Sequence, residues 1–419
     1  MRLPRVGRLL QNAFALMVSG VGSAVIGIVF WAAAAHLAPA ATVGRMSAEI
    51  AAVTLLAVLA QLSFGSIFER FLPVAGDQTR ALVKRAYAMC LSAALVLAIS
   101  YVSLGLGHSF LPASFWWRAV FVISVMLWTI FALQDAVLIG LRATRWVPVE
   151  NIFYSLTKLA LLPLLILMTA RQGIFVAWMI PVVFIIVVVN WYLFKKRIPK
   201  HEVVNVSEEK LPSIRELITL TGAQYATLLV NVLTTSIVTL IVIDRLGAVA
   251  GAHYYISAQL AGGSGLVVAS IMSSFIVEAS SEPGGMHHFA RVALWTSVSL
   301  LGPIVVIGVI IAPQILDVFG GSYAAQGTTL MRMLLLTVPA SFVVSFFTAF
   351  SWLDKRVWWF AVRQLASAAV FFSLLLTMIG RFGIVSIGVA SLIESGVEAF
   401  FFLPMLIRRY RLAVRSTVL

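Results

Sequence analysis

The chain has 419 residues, 61% of them hydrophobic and 11% charged, and a mean hydropathy of +1.02. A soluble globule confines its apolar residues to one stripe of each helix, so this composition excludes a soluble enzyme or scaffold and makes lipid the solvent. The formal net charge of +14 does not point to nucleic acid, because Lys and Arg stand in short clusters between apolar runs and not along one polar face.

Apolar runs of about twenty residues, enough to cross about 30 Å of hydrocarbon, recur along the chain. The first follows Arg2, Arg5 and Arg8; it is too long for the apolar core of a signal peptide, so it reads as a span. Spans are predicted at 12–35, 48–68, 86–107, 117–141, 149–169 and 174–194, then at 217–243, 250–276, 289–312, 328–352, 357–379 and 384–407. The one clearly hydrophilic stretch, 195–213, separates the two sets. The expected fold is therefore an all-α polytopic membrane protein of about 12 transmembrane helices, in two pseudo-symmetric six-helix lobes around a central cavity. The predicted lobes are 1–197 and 214–419, joined by a cytoplasmic linker at 198–213. Cys90 lies inside an apolar run and reads as a small packing residue.

Basic loops are retained on the cytoplasmic side. One set of loops carries a single basic residue each, Arg45, Arg118, Arg171, Arg245, Arg332 and Arg381. Every other Lys and Arg, Lys158 aside, falls on the opposite side with both termini and the linker. That side is expected to be cytoplasmic. The two sets of spans resemble one another: Arg171-Gln172-Gly173-Ile174 returns as Arg381-Phe382-Gly383-Ile384, and His36-Leu37 leading to Gly44 parallels Arg245-Leu246 leading to Gly251. An even number of spans per repeat makes the repeats parallel, as in transporters whose substrate site lies between two halves.

Lipid-facing helices are uniformly apolar, whereas helices along a wet path carry small or polar residues. Spans three, six and nine are expected to face lipid. Spans one, two, seven and eight are the cavity candidates; span seven brings Gln224, Tyr225 and Asn231, and span eight Gln259. The run Ala261-Gly262-Gly263-Ser264-Gly265 lies inside a span with no Lys-Ser or Lys-Thr after it, so close helix packing is expected and not a phosphate loop.

A charge at the bilayer centre costs at least about 2.5 to 3.5 kcal/mol on insertion scales, so mid-membrane charges are informative. They are Lys158 in span five, Asp135 in span four, and Glu394 and Glu398 one helical turn apart in span twelve. If spans four and five form a hairpin centred near Trp146, Asp135 and Lys158 match in depth, as do Arg142 and Glu150 at the mouth. Lys158 is then either half of a packing ion pair or part of a ligand site, while Glu394 and Glu398 have no obvious basic partner in their own half. No cluster of His, Cys and carboxylates has metal-ligand spacing, and no nucleophile has a base in reach, so neither a cofactor nor an enzymatic reaction is expected.

The segment 12–73 combines an Arg-flanked first span, the turn Leu37-Ala38-Pro39 leading to Val43-Gly44-Arg45, and a second span ending Gly65-Ser66-Ile67-Phe68-Glu69-Arg70-Phe71-Leu72-Pro73. With Leu133-Gln134-Asp135-Ala136 and Leu141-Arg142, it resembles the polysaccharide-exporting flippases of the multidrug, oligosaccharidyl-lipid and polysaccharide exporter superfamily. The resemblance implies a bacterial inner-membrane protein that moves a polyprenyl-diphosphate-linked oligosaccharide by alternating access. Its implied partners are that substrate, membrane lipids, and a polysaccharide polymerase and glycosyltransferases. In such proteins cavity cations meet the diphosphate; here Lys158, with Arg70 and Arg363 at the inner mouth, are the cations in question. A multidrug or cation antiporter of the same superfamily would carry a coupling carboxylate in span one or seven, where none occurs before Asp244. A major-facilitator transporter is poorly matched by the loop 75–80, and a membrane glycosyltransferase or polymerase would need a large outer loop.

Overall fold

A computed structural model describes residues 22–169, 171–204, 214–281, 286–353 and 357–415. Every long element among these residues is a helix, as lipid requires: with no water to satisfy backbone N–H and C=O groups, a spanning segment must satisfy them within itself. Eleven helices are long and apolar enough to cross a membrane, and a shorter apolar helix, α1 (Gly22–Leu37), supplies the described part of span one. The predicted helical membrane architecture is thus the observed one.

The chain divides into two compact units, Met1–Asp244 and Arg245–Leu419. In the first, α2 (Ala40–Ala60), α3 (Phe64–Phe71), α4 (Thr79–Ser103), α5 (Phe115–Gly140), α6 (Trp146–Thr169) and α7 (Gly173–Tyr192) are followed by the short α8 (Ile198–Val204) and by α9 (Ile214–Leu246). Helix α5 is central and packs on α2, α3, α4, α6 and α7. Its Gly140 is needed there, since a Cβ at this position would strike the Phe68 carbonyl oxygen and crowd Leu72. Around that contact a core forms from Phe64, Phe68, Leu72, Leu133 and Val137.

In the second unit α10 (Ala248–Ser281), α11 (Met286–Asp317), α12 (Gly321–Leu336), α13 (Val338–Leu353), α14 (Val357–Phe382) and α15 (Val385–Arg415) follow one another. Helices α10 and α15 hold the unit together, α10 on α11, α12 and α13, and α15 on α12, α13 and α14. Phe275, Phe342, Phe346 and Phe350 stack through its core at centroid distances of 5.2 to 5.5 Å.

Several sequence expectations need correction. Span two begins at Ala40, directly after Pro39, and not at residue 48; it then breaks at Gln61–Ser63 before resuming as α3. The break has two consecutive non-glycine residues in the left-handed region, Leu62 (φ 49°) and Ser63 (φ 69°). At the break Val58 O and Gln61 O keep backbone donors, Gln61 N–H and Phe64 N–H, and side chains add to these: the Tyr225 hydroxyl reaches Val58 O at 3.1 Å and Leu59 O at 2.7 Å, and the Cys90 thiol reaches Gln61 O at 3.4 Å. A helix broken within a membrane persists where neighbouring side chains restore the lost hydrogen bonds. Basic residues 195–197, at the start of the hydrophilic stretch, form a π-helical turn that leads into α8, and this segment is tied back by Arg80 N–H to Glu202, His201 to Leu72 O and Arg197 to Leu141 O.

The glycine run at 261–265 shows no close packing among the described residues. Helix α10 is continuous through it, and a Cβ added at Gly262, Gly263 or Gly265 would meet nothing within 4 Å. The matching turns of the two halves both demand glycine, for different reasons. A Cβ at Gly173 would strike the Ile166 backbone, whereas Gly383 sits at φ +56°. Of the predicted lipid faces, spans three and nine are exposed along most of their apolar length, but span six is only half so. Its first turns bury Ile174, Phe175, Trp178 and Val182, with Trp178 stacked on Trp128 at 3.9 Å.

Candidate functional site

The residues singled out from the sequence fall into separate clusters. Helix α6 carries Lys158, whose ammonium lies 4.6 Å from the Tyr154 ring centroid and 5.3 Å from that of Phe30 on α1. An aromatic face attracts a cation through its quadrupole, and the attraction grows as water is excluded. No carboxylate among the described residues lies within 4 Å of Lys158, so the ion pair with Asp135 does not form. Equal depth in a hairpin does not place two side chains on facing sides, and that rotation about the helix axis is what the hairpin argument leaves out.

Asp135 instead accepts from Asn151 Nδ2 at 3.3 Å. It faces Glu150 across the α5–α6 hairpin, with Tyr87 close by. Asn190 on α7 donates to Gln134 Oε1 at 3.1 Å and borders the same cluster. The Tyr87 hydroxyl is buried with no hydrogen-bond partner among the described residues, and both Glu150 oxygens are buried against Asp135 and Gln134. The expected Arg142–Glu150 pair is absent, because Arg142 takes φ 54° where α5 ends and points to solvent while Glu150 turns inward. Ionisable clusters of this kind inside a membrane mark ion or proton paths more often than packing.

The second unit holds a two-rung ladder between antiparallel helices. Arg363 and Ser367 are one turn apart on α14, and Glu394 and Glu398 are one turn apart on α15. Arg363 Nη1 meets Glu398 Oε1 at 2.6 Å, both side chains being less than one-fifth exposed, and the Ser367 hydroxyl donates to the Glu394 carboxylate. Glu398 therefore does have a basic partner in its own half, which corrects the sequence reading. The guanidinium also lies 5.9 Å from the Phe402 ring, and its Nε is buried without a partner.

The remaining residues scatter. Arg70 is exposed at the end of α3, over Phe71 at 5.4 Å. Tyr225 is committed to the α2 break, Asn231 is exposed on α9, and Gln259 is exposed and donates to the Tyr255 hydroxyl. The side chain of Gln224 lies outside the described part of the structure.

Sequence reasoning missed Glu49. It is fully buried in the middle of α2, with neither oxygen hydrogen-bonded among the described residues. A predicted span two starting at residue 48 left it at the membrane margin, where a carboxylate attracts no notice; the start at Ala40 moves it inside. A buried polar group without a partner costs about 1 to 3 kcal/mol. Replacing Glu49 with leucine, which is similar in volume, should therefore stabilise the protein by up to that amount, read as a higher unfolding midpoint in detergent. A lower midpoint would mean that Glu49 has a stabilising partner.

No protein-family model and no curated protein matches the sequence. Solved structures do match it in fold. An inward-facing multidrug resistance MATE family transporter of the MOP superfamily superposes with a TM-score of 0.69 at 14% identity, over 96% of this chain and 99% of that one. The lipid II flippase MurJ, in an inward closed conformation, gives 0.71 at 12% identity, over 96% and 90%. A MOP superfamily transporter from Pyrococcus furiosus, described by a binding pocket of reverse polarity, gives 0.60 at 14% identity, over 96% and 95%. The chain thus has the two-lobed fold of MOP superfamily transporters and is a multi-pass membrane protein.

Proposed function

We propose that this protein is a flippase that carries a polyprenyl-diphosphate-linked oligosaccharide, a surface polysaccharide precursor, across the bacterial inner membrane by alternating access. The observation that carries the reading is Lys158. A cation half-buried in a membrane helix, held by two aromatic rings and with no carboxylate among the described residues within 4 Å, is available to an anionic ligand. A diphosphate supplies that charge and a drug cation would be repelled. Similarity in fold to a lipid II flippase supports a lipid-linked substrate, and similarity to inward-facing and outward-facing MATE structures supports alternating access. Both termini are taken as cytoplasmic from the distribution of Lys and Arg.

The test is a deletion strain. It should accumulate lipid-linked oligosaccharide on the inner leaflet, and a strain that never assembled the saccharide would point to an enzyme instead.

A second reading, a multidrug or cation antiporter of the same superfamily, is favoured by the Asp135, Glu150 and Asn151 cluster, which has the chemistry to bind a cation or a proton. Uptake of a fluorescent organic cation into proteoliposomes, driven by a proton or sodium gradient, separates the two.

A further inference from the structure

The first unit contains a second polar site. Thr42, Arg45, His108, Ser109, Arg171 and Gln172 line a cavity of about 230 Å³, with Met46, Phe110, Leu111 and Pro112 as its apolar wall. Arg45 stands near the start of α2, His108 in the α4–α5 connection and Arg171 in the α6–α7 connection, all on the side away from the basic clusters, so the cavity opens on the outer face by the charge rule.

Four features give the cavity its chemistry. Arg45 and Arg171 are exposed, and no carboxylate among the described residues lies within 4 Å of either guanidinium. Gln172 is 6% exposed, and its Oε1 is buried without a hydrogen bond. Thr42 stands in the first turn of α2, while Gln172 is the N-cap of α7 and makes no side-chain cap bond, so two long helices direct their N-termini at the cavity. His108 is already engaged: its Nδ1 lies 3.1 Å from Gly105 O and its Nε2 faces Asp244 at 3.8 Å, which leaves the two arginines as the free cations.

We propose that this cavity is an outer-face site for a glycosyl phosphate headgroup, with Arg45 and Arg171 on the phosphate and Gln172 Oε1 accepting from a sugar hydroxyl. Cavities for drug-sized ligands run from about 300 Å³ upward, so this one takes a phosphate and part of one sugar and not a whole oligosaccharide. The proposal deepens and rests on the flippase reading, for it gives the substrate headgroup a place to dwell on the export side. An outer-leaflet phospholipid offers the same phosphate but no sugar ring.

The test uses full-length protein in phosphatidylcholine nanodiscs, with glucose 1-phosphate and inorganic diphosphate added to about 10 mM, a range that reads affinities down to the millimolar. Both probes should raise the unfolding midpoint of the wild type. The R45Q/R171Q variant should bind at least about tenfold more weakly, whereas R118Q, which alters an exposed outer arginine away from the cavity, should match the wild type. Gln172→Met should weaken binding of glucose 1-phosphate and leave that of inorganic diphosphate unchanged. Equal binding by R45Q/R171Q and wild type, or no binding of either probe, overturns the proposal. Displacement of glucose 1-phosphate by phosphatidylglycerol in the nanodisc also overturns it, by assigning the cavity to lipid headgroups. Binding is read on purified protein and the flippase reading on leaflet accumulation in cells, so the failure of one is distinct from that of the other.

Discussion

Replacing Lys158 with alanine should reduce transport of the lipid-linked glycan by roughly a hundredfold, at unchanged protein level in the membrane. Loss of one partner from a desolvated charge pair costs about 2 to 5 kcal/mol, and about 3 kcal/mol corresponds to that fold-change. Lys158→Arg should retain part of the activity, because the charge remains though its geometry differs. Lys158→Met separates function from packing: it keeps an unbranched apolar stem beside Phe30 and Tyr154 but has no cation. If Lys158 served only those rings, both Ala and Met would lower the unfolding midpoint by the equivalent of about 1 to 2 kcal/mol and leave transport intact. Transport by Lys158→Met at the wild-type rate, measured in proteoliposomes, removes Lys158 from the mechanism.

The second large effect is expected at the α14–α15 ladder. Arg363→Leu leaves Glu398 mostly buried and unpaired, which costs about 3 to 5 kcal/mol, whereas R363L/E398L removes both charges and should recover most of the lost stability. Two single variants and the double form a thermodynamic cycle that reads the coupling directly from unfolding midpoints. Glu394 differs, since its partner Ser367 is a neutral donor. Glu394→Gln keeps an acceptor for that hydroxyl and removes the charge, so stability should move by less than about 1 kcal/mol. Export is expected to stop. A Glu394→Gln protein that exports normally assigns the ladder to packing alone.

Hydropathy alone made the helical, many-spanning architecture legible, because apolar length is a linear property of the sequence. The i, i+4 relation between Glu394 and Glu398 was legible for the same reason, as both sit on one helix. What was not legible were relations between helices. Asp135 and Lys158 share a depth, yet Asp135 turns to Asn151 and Lys158 to an aromatic cage, since depth fixes neither rotation nor neighbour. Arg363 on one helix and Glu398 on the next are 35 residues apart, and only antiparallel packing joins them. Glu49 was hidden by an eight-residue error in where a helix begins, against a start that Pro39 sets. The outer cavity joins the start of α2 to two connections, and nothing linear ties Arg45 to His108 or to Arg171.

The break in span two has a consequence for biosynthesis. Two left-handed non-glycine residues cost about 1 to 2 kcal/mol each, and the shortest of the side-chain hydrogen bonds at the break comes from a hydroxyl 166 residues further along the chain than Leu59. Chains are made from the N-terminus, at about 5 to 20 residues per second. Span two is therefore made many seconds before Tyr225 exists, and until then the Leu59 carbonyl lacks that donor. What α9 brings to the first helices is the hydroxyl that completes the hydrogen bonding of the bend.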